Sequence, residues 1–203
     1  METRLANIVS YVLHPILIPT YAFILLFSQK AYYAMVLPMP AKIRLLLIVF
    51  VLTCALPLSI MLMLKYWKVI GSFQMYERKE RNIPFLIMMI FNFFLYFLLN
   101  NIQISPVFKY FALGGASLVV FAFIVNLKWK ISIHMLAMGA FLGMTLGLTL
   151  MSLMDSPLYL FFVIFGAGLT GFARLKLKAH TQAQVYTGLL SGIALMLILA
   201  LYF

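Results

Sequence analysis

Long apolar runs separated by short polar breaks occupy nearly the whole chain. Crossing the hydrocarbon of a bilayer takes about 20 residues of helix. On that measure seven segments can be drawn: Ile8–Phe27, Ile43–Tyr66, Pro84–Leu99, Val107–Leu127, Ile131–Leu150, Leu158–Phe172 and Gln184–Phe203. The pattern predicts an all-α fold, a polytopic membrane helix bundle of about six or seven transmembrane helices. It predicts one integral membrane domain over residues 1–203. The third and sixth segments are short. The first carries His14, Pro15 and Pro19 and is expected to be broken or partly inserted, because proline lacks the N–H a helix interior needs.

The breaks have turn chemistry. Asn100-Asn101 with Ser105-Pro106 makes one, and Asp155-Ser156-Pro157 another, with Pro157 suited to a first helical turn. Gly139, Gly143 and Gly147 recur every fourth residue, which makes one smooth helical face for close packing. Gly166, Gly168 and Gly171 thin the sixth segment similarly. Counting crossings, the breaks at Ser72–Asn82, Lys128–Lys130 and Arg174–Gln182 follow an even number of spans and fall on one side of the membrane.

Composition agrees with the pattern. Of 203 residues 66% are hydrophobic and only 9% are charged, against roughly a quarter charged in soluble domains. The formal charge of +11 comes from fifteen Lys and Arg against four acids. With these apolar spans it points to loops bordering a bilayer, not to nucleic acid. The single Cys54 excludes an intrachain disulfide and a multi-cysteine metal site. The first segment has no small-residue cleavage site beside it and is expected to be a retained helix. Eleven of the fifteen basic residues lie on the face of the three even breaks: Arg4, Lys65, Lys68, Arg78, Lys79, Arg81, Lys128, Lys130, Arg174, Lys176 and Lys178. The positive-inside rule expects that face in the cytoplasm, in a bacterial inner membrane.

The candidate chemistry sits in those three breaks. Arg174 and His180 are separated by five residues. Arginine offers a planar fork of donors matched to phosphate oxygens. A helix start beside His180 favours an anion and disfavours imidazolium, which keeps the ring nucleophilic. Gln184, one turn on, is on the same face as His180, where its carbonyl oxygen can accept from a ring nitrogen. In the second break Ser132 is expected to cap a helix, with His134 in its first turn. Two histidines near one phosphate can divide nucleophilic attack and protonation of the leaving oxygen. Two histidines without nearby acids would hold a divalent cation poorly, so no metal or cofactor is expected. The third break offers Arg78, Lys79 and Arg81. His14 either bonds within the interior or borders the same site.

Taken in order, these clusters resemble the motifs of the type 2 phosphatidic acid phosphatase superfamily. Ala173-Arg174, five residues, His180, three residues, Gln184 is similar to its third motif, which ends in Asp. Ile131-Ser132-Ile133-His134 is similar to the second, Pro-Ser-Gly-His. Arg81-Asn82-Ile83-Pro84 looks like a stretched ending of the first, whose Lys would fall on Gln74. The resemblance implies metal-independent hydrolysis of a phosphorylated lipid through a phosphohistidine, with the motif-bearing core at roughly 78–203. It implies His180 as nucleophile and His134 as general acid. Arg81, Arg174 and Ser132 would hold the phosphate, and Arg78 or Lys79 would take over the missing lysine's charge. Gln184 departs from the family: an amide orients a histidine but adds no negative charge. Glu77 and Glu80 are the candidates for a substitute carboxylate. Two alternatives stand beside the phosphatase: a degenerate relative that binds or moves an anionic lipid, and a small membrane transporter. A transporter's usual internal repeat with paired broken helices is not evident.

Overall fold

A computed structural model describes residues 2–71 and 78–202 of the chain. Among the described residues six helical stretches are long and apolar enough to cross a membrane. The first of them, Met39–Tyr66, joins α4 (Met39–Phe50) and α5 (Leu56–Tyr66) through a π-helical turn at Val51–Ala55. The others are α6 (Asn82–Asn100), α7 (Pro106–Asn126), α8 (Ile133–Leu150), α9 (Leu158–Lys176) and α10 (Gln182–Ala200). The protein is therefore a polytopic bundle of membrane helices. Two expected boundaries change. The third and sixth spans are not short; each is a 19-residue helix. The sixth runs on to Lys176, so Arg174 lies in its last turn and not in the following break.

The first apolar segment is broken as the prolines suggest. α1 (Glu2–Val12) and α2 (Ile18–Ser28) are separated by residues 13–17. Pro15 supplies no N–H and disfavours helical geometry at His14 before it. The pair nevertheless runs antiparallel along the whole of α9. Glu2 forms an ion pair with Lys176 at the end of α9, and Leu13 packs near Gly166 midway. At the other end Asp155 accepts from the Lys30 amide and donates its own amide to Gln29 Oε1 at 3.1 Å. α1 and α2 thus make an interrupted traverse beside the six continuous ones. A short turn, α3 (Tyr32–Met35), follows it.

The largest apolar cluster gathers Phe23, Tyr33, Phe108 and Phe111, toward the end that Asp155 occupies. The polar residues collect at the other end, and the packing of α8 on α10 explains why. These helices run parallel, backbone to backbone, through glycines. A Cβ on Gly139 would fall 2.1 Å from the Leu189 carbonyl oxygen, and one on Gly192 would fall 2.2 Å from that of Leu136. The parallel arrangement sets both helix N-termini side by side, with the Ser132 amide donating to the Gln184 carbonyl at 3.4 Å. Gly192→Ala is expected to destabilise the bundle by about 1–3 kcal/mol, because backbone faces the new methyl and cannot swing away. Gly168→Ala, where nothing lies within 4 Å, should leave thermal unfolding in detergent unchanged or slightly raised. Equal melting of the two variants would contradict this packing.

Candidate functional site

The Arg174–His180 spacing is set by two local motifs laid end to end. α9 ends with Lys178 in the left-handed region at φ 51°. The Ala179 amide reaches back to the Arg174 carbonyl at 3.1 Å and the Lys178 amide to Leu175 at 3.0 Å, closing a Schellman end. Two residues later Thr181 caps α10. Its side chain accepts from the Gln184 amide at 3.4 Å, and Gln184 Oε1 accepts from the Thr181 amide at 3.2 Å, forming a capping box. Arg174 and His180 flank this rigid corner.

Gln184 also fixes the chemistry of His180. Its Oε1 lies 2.9 Å from His180 Nδ1. The Thr181 N–H can only donate, so the Gln184 atom facing it is the oxygen, and Nδ1 facing the same oxygen carries the proton. His180 is therefore held as the Nδ1–H tautomer, with the lone pair on Nε2. Burial pushes its pKa down most. The Gln184 hydrogen bond works the other way, and the charges of Arg81, Arg174 and Lys130 lower it further, to about 4. The ring is neutral, and Nε2 nucleophilic, across the physiological pH range.

The other predicted residues surround this corner unevenly. Arg81 is the N-cap residue of α6 and is buried, with Nη1 donating to the Ile131 carbonyl at 3.5 Å. Burial and then Arg174 lower its pKa to about 10, so it keeps its charge. Ser132 occupies the N-cap position of α8 but, contrary to expectation, its hydroxyl does not cap the helix. Ser132 Oγ and Arg174 Nε are buried without a hydrogen-bond partner among the described residues, an arrangement that suits an oxyanion. Arg78 enters through its carbonyl, which accepts from Asn126 Nδ2 at 3.0 Å. The side chain of Lys79, and both Gln74 and Glu77, lie outside the described residues. Glu80 is not turned to the histidines; its Oε1 accepts from the Gly71 amide at 3.1 Å.

His134 is in the first turn of α8, but its Nε2 faces the Ser10 carbonyl at 3.3 Å. Ser10 Oγ accepts from Arg174 Nη1 at 3.3 Å. The His14 and His134 rings meet edge to face at 5.1 Å. Ser10, His14 and Lys130 thus join the site from positions no motif marks. The Lys130 pKa is lowered by burial first and then by Arg81 and Arg174. The histidine just before the helix-breaking Pro15 is the one available signal, since a break inside an apolar segment exposes polar backbone that needs partners.

The arrangement brings the N-terminal ends of α6, α8 and α10 together with Arg81, Lys130 and Arg174. Helix N-termini and basic side chains both favour a bound anion, and among the described residues no group of three or more metal-ligating side chains forms. The fold and this polar end define an integral membrane protein of the α-helical polytopic class. No family model, curated protein or solved structure matches the chain.

Proposed function

We propose that this protein is a lipid-phosphate phosphatase-like enzyme of the membrane, similar in mechanism to the type 2 phosphatidic acid phosphatases. The observation that carries the reading is the Gln184–His180 contact of 2.9 Å, which frees Nε2 as the nucleophile beside three cations. Nε2 attacks phosphorus, the bond from phosphorus to the lipid oxygen breaks, and His134 in its protonated form gives that oxygen a proton. Water then attacks the phosphohistidine, returns a proton to His134 and releases phosphate. Arg81, Arg174 and the Ser132 hydroxyl hold the non-bridging oxygens; Arg78 and Lys79, just before Arg81 in the sequence, are the candidates for the motif lysine's charge. Preorganised donors of this kind commonly contribute more than any other single effect to such reactions.

A lipid, not free phosphate, is favoured by the surface below the site. Gln184, Gly188, Ser191, Leu195 and Ile198 form one stripe of α10 by their spacing. The last three line an apolar groove of about 380 Å³ between α7 and α10, which suits a hydrocarbon chain. The excess of Lys and Arg at the polar end supports a cytoplasmic location for that end.

Two observations favour a second reading, binding without turnover. The proton of neutral His134 is already directed to Ser10, and Gln184 brings no charge to His180. Purified protein should release phosphate from phosphatidate, phosphatidylglycerophosphate or an undecaprenyl phosphate in detergent. Saturable binding with no release would select the second reading, and neither binding nor release would remove both.

A further inference from the structure

We propose that the interruption of the first traverse is a working part of this site: the carbonyl end of α1 holds His134 in one tautomer and is its electrostatic partner. The inference rests on the phosphatase reading for its consequence, but not for its geometry. The last four carbonyls of a helix have no partner within it, and they form the negative end of its dipole. In α1 the bond from the Leu13 amide to the Val9 carbonyl, 2.8 Å, comes just before the break. Ser10 contributes the next carbonyl, and His134 Nε2 lies 3.3 Å from it. Pro15 disfavours the helical geometry that would let the His14 amide take this carbonyl.

A carbonyl oxygen only accepts, so His134 Nε2 carries a proton and Nδ1 has the lone pair. His134 therefore serves the phosphate through Nδ1. Once protonated there, the ring hands the Nδ1 proton to the leaving oxygen and returns to the same Nε2–H form, still bonded to Ser10. Electrons and protons balance with no change of ring position. The positive charge of that intermediate ring needs a negative neighbour. Among the described acids, Glu2 pairs with Lys176, Glu80 accepts from Gly71 and Asp155 lies at the opposite end. Among the described residues, Arg174, His14 and His180 are the charged and titratable groups that act on His134, and none of them is negative. The end of α1 supplies the negative potential.

His14 completes the group. Its Nδ1 accepts from the Ile16 amide at 3.4 Å, so its proton is on Nε2, and its ring stands edge to face with that of His134. The same broken segment also orients Arg174 through Ser10 Oγ. Two positioning roles therefore separate by atom: the Ser10 carbonyl acts on proton transfer, the Ser10 hydroxyl on phosphate binding.

The chain has three histidines, which makes nitrogen NMR of the full-length protein, labelled with 15N-histidine in lipid nanodiscs, directly interpretable after assignment with His134→Gln. Wild type should show His134 as the Nε2–H tautomer. Pro15→Ala lets the helix continue and take the Ser10 carbonyl, so the signal should move toward a mixture of tautomers. Pro15→Gly keeps a poor helix former there and should retain the wild-type signal. In phosphate release from phosphatidate, Pro15→Ala should lower kcat about tenfold with little change in KM, and Ser10→Ala should raise KM instead. An Nδ1–H tautomer in wild type, or identical spectra for Pro15→Ala and wild type, overturns the proposal. If wild type releases no phosphate, the hydrolase reading fails while the spectra still decide the role of α1.

Discussion

Replacing His180 by alanine is expected to abolish phosphate release, by about four orders of magnitude or more, the scale on which loss of a covalent nucleophile falls in other enzymes. Binding should survive. Arg81, Lys130, Arg174 and the buried Ser132 hydroxyl do not depend on the imidazole, and Thr181 with Gln184 still caps α10. The expected signature is a lost kcat with a lipid affinity within a few-fold of wild type. His180→Asn tests the same point with less loss of packing. Release that persists in either variant, measured as free phosphate from phosphatidate in detergent, would remove His180 from the chemistry.

The second large effect is a gain. Glutamate and glutamine have the same length, so Gln184→Glu keeps an oxygen where Oε1 now meets Nδ1 at 2.9 Å and the Thr181 amide at 3.2 Å. Glutamate is also at home at this position of a capping box, near the positive helix end. The variant should fold and should stabilise the positive charge that His180 acquires on phosphorylation. Replacing the comparable Asp of a serine-protease triad by Asn costs about ten thousand-fold, through the wrong tautomer. Gln184 already selects the His180 tautomer, so only the charge is gained here. An increase in kcat of about 10- to 100-fold is expected here, because the new negative charge also weakens the hold on phosphate. Aspartate is the wrong replacement, being one methylene short of both contacts. The sign of the pH effect follows from the same charge. A carboxylate favours imidazolium and raises the His180 pKa from about 4, so neutral nucleophile is lost at a higher pH as the medium is acidified. The acid limb of kcat/KM should therefore move upward in Gln184→Glu. A variant slower than wild type at neutral pH, with an unmoved acid limb, would show that Gln184 acts as a cap alone.

The spans were legible because hydrocarbon length and apolar runs determine them together. The glycine face of α8 was legible too, since its spacing of four matches the helix, and the shared face of the three breaks followed from counting crossings. Other features left no readable mark. The end of α9 is closed by Lys178 in a left-handed conformation that glycine usually signals; with no glycine to mark that end, the apolar run alone sets the expected boundary at Phe172. Ser132 has the residue type of a cap, but its hydroxyl does not perform that role. Ser10 meets His134 and Arg174 across 124 and 164 residues, a separation at which no periodicity operates. Only Pro15 hinted that the neighbouring backbone would seek partners elsewhere in the bundle.

The central claim is that phosphate passes through His180 Nε2. It is tested most directly by incubating full-length protein in nanodiscs with phosphatidate carrying 32P in its phosphate, quenching in base, and mapping the label. The account predicts a base-stable, acid-labile label on the peptide containing His180, absent from His180→Ala. Phosphate release with no label on that peptide, or a label that remains in His180→Ala, would contradict it.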